Sequence, residues 1–253
     1  FIPGISDTTL IDDAIIKVEA RADTMLVVDV GNKEDSIADA QSVADAFDSS
    51  YACTYFPWVQ IFDAHNNRYV YVPPSVIAAE IFAYSDNVSD VFNAPAGRKR
   101  GKVGRAIDTY ITLTEDDRSD LYSHGINPIA KFKDGIYIWG QKTLQKKRSK
   151  LDRINVRRLL IKVKKFIRYV GMNLAFEQGG SELWDEFINK VSPYLEDIKS
   201  RRGLYDYSVI MDESINTAIT EARKELLGTI RLNPQVAGEF FAVEFIIDAT
   251  GVS

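Results

Sequence analysis

Metal binding or nucleophilic catalysis in this chain would have to be built from two histidines, one cysteine and its serines. His65 and His124 stand far apart in sequence, and neither has a cysteine or carboxylate at metal-ligand spacing, so the residues offer no transition-metal site. A serine nucleophile needs a base and usually an elbow of the form Gly-x-Ser-x-Gly; the elbow is absent and histidine is scarce. Cys53 lacks a partner for the same reason, and its apolar, strand-like surroundings read as those of a buried thiol. Gly97-Arg98-Lys99-Arg100-Gly101-Lys102-Val103 looks like a phosphate loop at first sight. Three residues rather than four separate its glycines, and Val103 stands where a hydroxyl must reach magnesium. Carboxylates are abundant, but their separations are not legible in a sequence, so a hydrolase built on paired acids stays open.

The strongest chemical signal is positive charge. From Lys142 to Arg168 the chain carries twelve Lys or Arg against a single acid, Asp152; this +11 stands on a chain of net charge −5, leaving −16 for the remainder. Such localisation on an acidic protein marks contact with an anionic partner, although a solvated face gives the same pattern. Nucleic acid is the weaker partner: the chain's overall acidity repels a polyanion, and no exposed aromatics interleave with the basic residues to stack bases. Protein carboxylates are the better match.

The elements that position these charges follow from periodicity. Val156, Leu159, Leu160, Val163, Phe166, Ile167 and Val170 fall on one helical stripe, with Arg157, Arg158, Lys162, Lys164, Lys165 and Arg168 on the remaining positions. A second helix runs from Glu182 to about Lys199 on Leu183, Phe187, Val191, Leu195 and Ile198, with Pro193 as a kink. Upstream, Met25 to Val30 reads as a central buried strand. A helix capped at Asp35-Ser36 follows, and a strand from Thr54 to Phe62 forms a hairpin with Arg68 to Val72 around His65-Asn66-Asn67. Pro73-Pro74 opens a helix with Val76, Ile77, Ile81 and Tyr84 inward. Residues 89 to 105 read as loop, and Thr114 with Asp117 caps a short helix that Gly125 stops. Asp134-Gly135 turns a hairpin, and strands follow at Tyr205 to Met211, Leu226 to Leu232 and Phe240 to Ile247. The fold class is mixed α/β in two units, residues 1–125 and residues 126–253, the second a sheet packed with two helices. Trp58, Trp139 and Trp184 suggest rigid packing, with any hinge near Gly125 to Pro128. No run of about 18 apolar residues is present to span a bilayer.

Several blocks carry a resemblance in addition. In order they are Tyr51-Ala52 with Tyr55-Phe56-Pro57-Trp58-Val59, Val72-Pro73-Pro74-Ser75, Ala94-Pro95-Ala96-Gly97, Gly125-Ile126-Asn127-Pro128-Ile129, Trp139-Gly140-Gln141-Lys142-Thr143-Leu144, Arg153-Ile154-Asn155-Val156-Arg157-Arg158 and Leu183-Trp184. Together they resemble the sheath proteins of contractile phage tails over residues 50 to 250. Lys142 departs from a commoner Arg, and Gln178-Gly179-Gly180 from a Pro-Asn turn.

The resemblance implies a structural subunit, not an enzyme and without cofactor. It would stack in hexameric rings around a tail tube above a baseplate, belong to the virion tail, be assembled in the host cytoplasm, and have neither nucleic acid nor membrane as partner. The first unit would be the sheath's middle domain and the second its tube-proximal C-terminal domain. Lys142, Lys146, Lys147, Arg157, Arg158, Lys162, Lys164, Lys165 and Arg168 are then the expected contacts to tube or neighbouring subunit. Phe240, Phe241, Val243, Phe245 and Ile247 would form a strand added to a neighbour's sheet. Because the chain opens at Phe1 and closes soon after that strand, a trimmed piece lacking its linking arms is expected, monomeric on its own. The alternative is a nucleic-acid-binding module using helix 153–168.

Overall fold

The computed structural model describes residues 1–178, 180–217 and 226–239. Helix α1 (Thr8–Arg21) leads to β1 (Leu26–Val28), α2 (Ile37–Ala44) and β2 (Ala52–Phe56). After β3 (Val59–Asp63) and β4 (Arg68–Val72) come α3 (Pro74–Val88), the four-residue α4 (Gly97–Arg100), β5 (Ala106–Thr109) and α5 (Glu115–Ser123). Strands β6 (Ile126–Phe132) and β7 (Gly135–Ile138) precede the long helices α6 (Ile154–Asn173) and α7 (Ser181–Ser200) and the pair β8 (Leu204–Ile210) and β9 (Thr229–Pro234). The fold is mixed α/β, as the periodicities predict.

The principal sheet has the order β1-β2-β6-β7, parallel through β1, β2 and β6 and antiparallel at β7. Alternation along its strands sorts side chains to two cores. Leu26, Val28, Ala52, Phe56 and Ile126 meet α1, α2 and α5 on one face; Val27, Cys53, Tyr55, Ile129 and Ile138 meet α3 on the other. The capping boxes at Ser36 with Asp39 and at Thr114 with Asp117 start α2 and α5 where the sequence places them.

Five expectations are corrected here. β1 is an edge strand, buried because helices cover both of its faces rather than because strands flank it. The single strand expected from Thr54 to Phe62 is two strands in different sheets, parted at Pro57, which has no N–H to give a ladder. On α3, Val76 and Tyr84 point outward at 37% and 47% exposure, while small Ala78 and Ser85 take the buried positions against the sheet. The hairpin β6–β7, assigned to a second unit beginning at residue 126, completes the first unit's sheet: β6 pairs with β2. Ile126 and Asn127 are fully buried in that strand, so the region of Gly125 to Pro128 is core rather than hinge.

A third core lies between α6, α7 and the β8–β9 pair, and Leu183, Phe187, Val191, Leu195 and Ile198 of α7 all enter it. Phe92, from the segment expected to be only loop, enters this core as well, and its carbonyl accepts from Asn155 Nδ2 at 2.9 Å. β9 begins at Thr229 rather than at the expected Leu226 and runs on through Asn233-Pro234. The strand expected from Phe240 to Ile247, and with it Phe240, Phe241, Val243, Phe245 and Ile247, lies outside the described residues.

Candidate functional site

The basic segment divides into a loop, residues 141 to 153, and helix α6. The loop closes on itself: Thr143 N–H donates to Asp152 O at 3.0 Å and Ile154 N–H to Gln141 O at 2.8 Å, while Leu144 N–H reaches Ala52 O at 2.9 Å on the principal sheet. The start of α6 is therefore fastened to β2 and β6, and its orientation is set by the sheet.

Helix α6 does not present the continuous cationic flank that its sequence suggests. Arg157 is 8% exposed, its guanidinium lying 4.0 Å from the centroid of the Tyr51 ring and donating to Ser50 Oγ. Burial pulls its pKa down, and the opposing influence of Tyr51 and Glu19 does not make up for it. Arg158 stacks over Phe82 at 4.6 Å and pairs with Asp86 of α3 at 2.5 Å. Consecutive arginines thus grip two different parts of the first unit, and the reason is simple: a long side chain near the helix's buried seam delivers its charge past the seam to polar edges. Lys162 pairs with Asp90 at 2.7 Å, and Arg201 reaches the same carboxylate at 2.9 Å. Burial works against ionisation of Asp90, but the bonds from Lys162 and the Val91 N–H prevail and hold its carboxyl below the usual range. These pairs strut α6 and α7 to Asp86 and Asp90, although the Lys162 and Arg201 side chains stay 40% and 46% exposed.

What remains exposed on α6 is Lys164, Lys165 and Arg168, none with an ion pair among the described residues. Beside them on the helix Tyr169 and Met172 are 64% and 70% exposed, and Phe176, past the end of α6 in a left-handed backbone conformation, is fully exposed. The sequence reading does not single these three out, although the periodicity that finds the buried stripe leaves Tyr169 and Met172 over. The three remaining expected contacts lie on the loop side. Lys142 is half-buried, its Nζ donating to Tyr122 O at 2.6 Å and lying 4.4 Å above that ring; Lys146 and Lys147 are exposed. Of the nine expected contact residues, Arg157 and Arg158 are therefore corrected to internal roles, and Lys162 is engaged with Asp90 while still partly exposed. With them goes the unbroken basic stripe that a nucleic-acid module would lay along a phosphate backbone.

Arg157 carries a testable consequence. Replacing it with Ala removes a desolvated cation–ring contact and leaves Ser50 Oγ without its donor, so urea unfolding should show a loss of about 2 kcal/mol. Lys164→Ala, on the exposed side, should change stability by no more than about 0.5 kcal/mol.

The remaining candidates for chemistry are structural. Cys53 is buried and its thiol is pushed up to about 12 by that burial, which removes the thiolate a nucleophile requires. His124 Nδ1 lies 2.9 Å from Asp45, and His65 is exposed in its turn. Among the described residues no cluster of three or more His, Cys, Asp or Glu is arranged to hold a metal, and no helix is long and apolar enough to cross a membrane.

With this geometry in hand, residues 6–144 match the family model described as the phage tail sheath protein central domain, and residues 146–248 the phage tail sheath C-terminal domain. The tail sheath protein of Vibrio phage KVP40 is 32% identical over 190 residues, covering 75% of this chain and 28% of that protein. That of Enterobacteria phage T4 is 28% identical over 247 residues, covering 94% and 38%. The chain thus spans little more than a third of these relatives at most. Among solved structures, a chain of the contracted anti-feeding prophage baseplate superposes with a TM-score of 0.81 at 23% identity, over 97% of this chain and 70% of that one. A chain of the contracted sheath complex of the PVC extracellular contractile injection system gives 0.77 at 24%, over 88% and 64%. These two likenesses concern the fold.

Proposed function

Because the chain belongs to the phage tail sheath family, we propose that it is the body of a structural sheath subunit, which stacks in rings around a tail tube and shifts as a rigid piece when the tail contracts. The observation that carries this reading is the pair of family matches, one after the other, on a molecule whose two matched regions are strutted together by Arg157, Arg158 and the Asp90 pairs. Rigid pieces transmit a displacement that soft ones would absorb. The division into units falls near residue 145, between the matched regions and after the last strand of the principal sheet.

Lys164, Lys165 and Arg168, with Tyr169, Met172 and Phe176, form the surface that faces an acidic partner, for which the tail tube is our assignment. Hexameric rings, attachment to a baseplate, a place in the virion tail, assembly in the host cytoplasm and linkage to neighbours through terminal arms belong to the same proposal. Catalysis, a cofactor, nucleic acid and membrane have no part in it. Negative-stain electron microscopy of the full-length gene product expressed alone tests the reading: hollow tubes with a regular ring repeat are expected. A product that stays monodisperse at every concentration and salt would overturn it. Residues 1–253 by themselves should sediment as a monomer.

A further inference from the structure

A single carboxylate ties the end of the second unit back to the first. β9 ends at Pro234, where Lys150 Nζ donates to the carbonyl at 2.8 Å, and Gln235 N–H donates to Gly203 O at 3.2 Å. Val236 to Gly238 add no hydrogen bond among the described residues. Glu239 then meets α5, the basic loop and the foot of α6 together. Its Oε2 accepts from the Tyr122 hydroxyl at 2.8 Å, and its Oε1 accepts from Gln141 Nε2 at 3.1 Å and lies 2.6 Å from Arg153 Nε. These three groups are held independently of Glu239. Gln141 is 2% exposed and its carbonyl accepts from Ile154 N–H at 2.8 Å, while Arg153 also pairs with Asp152 at 2.9 Å. The Tyr122 ring occupies space that only a glycine at 140 leaves, since a Cβ there would stand 2.8 Å from its Cε2. Burial, followed by Glu239 itself, pushes the Tyr122 phenol above its usual range, so it stays a donor. The Arg153 and Glu239 side chains are only 18% and 16% exposed, so water screens this pair less than a surface pair.

We propose that this clasp is a mechanical anchor: a pull arriving along the chain from beyond residue 239 is delivered through Glu239 to α5 and the basic loop, and bypasses the β8–β9 pair. Without the clasp the same pull acts at Pro234, the residue paired with Leu204 where β9 leaves β8, and breaks the ladder one rung at a time. A sheet of two strands resists such peeling poorly. The use of the anchor in a contracting tail rests on the sheath reading, which supplies neighbours to pull; the clasp itself does not.

The test pulls on single molecules of residues 1–253 in optical tweezers, with handles on His65→Cys, in the exposed turn between β3 and β4, and on Ser253→Cys; Cys53 is buried and escapes attachment. At one fixed force, release of β9 from β8 is expected to be about tenfold or more faster in Glu239→Ala than in the parent, with Tyr122→Phe between the two. Lys164→Ala should release as the parent does. In solution, a nitroxide on Gly238→Cys, where a Cβ meets nothing within 4 Å, should be immobilised in the parent and mobile once Glu239→Ala is added. Circular dichroism identical to the parent would show that the variants fold. Equal release rates in the parent and Glu239→Ala, or a label equally mobile in both, would overturn the anchor. Failure of the full-length product to form tubes would instead count against the sheath reading and leave these measurements standing.

Discussion

Asn127→Ala is expected to lower stability more than any other single polar substitution in the first unit. The side chain is fully buried in β6 and makes three short bonds at once: Nδ2 donates to Thr54 O at 2.9 Å and to Lys142 O at 2.8 Å, and Oδ1 accepts from Lys142 N–H at 2.6 Å. Within the paired strands β2 and β6, it ties the start of the basic loop to the sheet. Truncation removes all three bonds from a buried or part-buried site, and a polar group left there without its partner costs about 1–3 kcal/mol, so a loss of about 3 kcal/mol is expected. For a chain of this size that corresponds to a fall of roughly 6–12 °C in thermal midpoint. Gly140 reports on the same pocket, because a Cβ there would stand 2.8 Å from Asn127 Oδ1 and 2.8 Å from Tyr122 Cε2. Differential scanning calorimetry of Asn127→Ala, with Asn127→Asp as the near-isosteric comparison, measures the effect. A midpoint within a degree or two of the parent for the Ala variant would show that the loop is held by something other than this clasp.

Asn127 and Gly140 belong to blocks quoted for the family resemblance, yet only coordinates reveal that the two blocks meet. Local signals were legible: the capping boxes at Ser36 and Thr114, the turn at Asp134-Gly135 and the α7 stripe all depend on neighbours in sequence, where periodicity and cap chemistry act. Pairing between distant strands was not legible. Nothing local to Ile126–Phe132 says that it will lie parallel to Ala52–Phe56 rather than begin a new unit, because register depends on which apolar faces meet. The candidate site failed for a related reason. Formal charge counts every Lys and Arg alike, whereas Arg157 is spent on Tyr51, Arg158 on Asp86 and Phe82, and Lys162 on Asp90, partners located more than sixty residues away in sequence. A helical wheel separates apolar from basic positions; it does not separate an arginine that reaches over the seam into the protein from one that reaches into solvent.

That separation decides which charge reversals probe assembly and which simply damage the fold. Lys164→Glu, Lys165→Glu and Arg168→Glu together should leave the circular dichroism and thermal midpoint of the chain close to those of the parent, because all three side chains are exposed and make no ion pair among the described residues. The nearest internal consequence is small: Lys165 contributes to holding the Asp23 carboxyl below its usual range, after the stronger bond from Arg21. In the full-length protein, the same three reversals change the proposed tube-facing surface by six charges while sparing its apolar members Tyr169, Met172 and Phe176. Exposed pairs contribute only about 0.2–1 kcal/mol each, so one reversal would be hard to detect, but three turn attraction into repulsion and recur in every subunit. Extended tails, counted by electron microscopy, should therefore become at least about tenfold rarer, since even the low end of that range exceeds 1.4 kcal/mol over a few subunits. High salt should weaken assembly of the parent too, because surface charges are screened beyond about 10 Å at 0.1 M. Arg157→Glu supplies the contrast: it buries a carboxylate against Tyr51 and should unfold the chain before assembly is ever at issue. Normal numbers of extended tails from the triple variant would remove α6 from the tube interface and leave its exposed aromatic end without the role given to it.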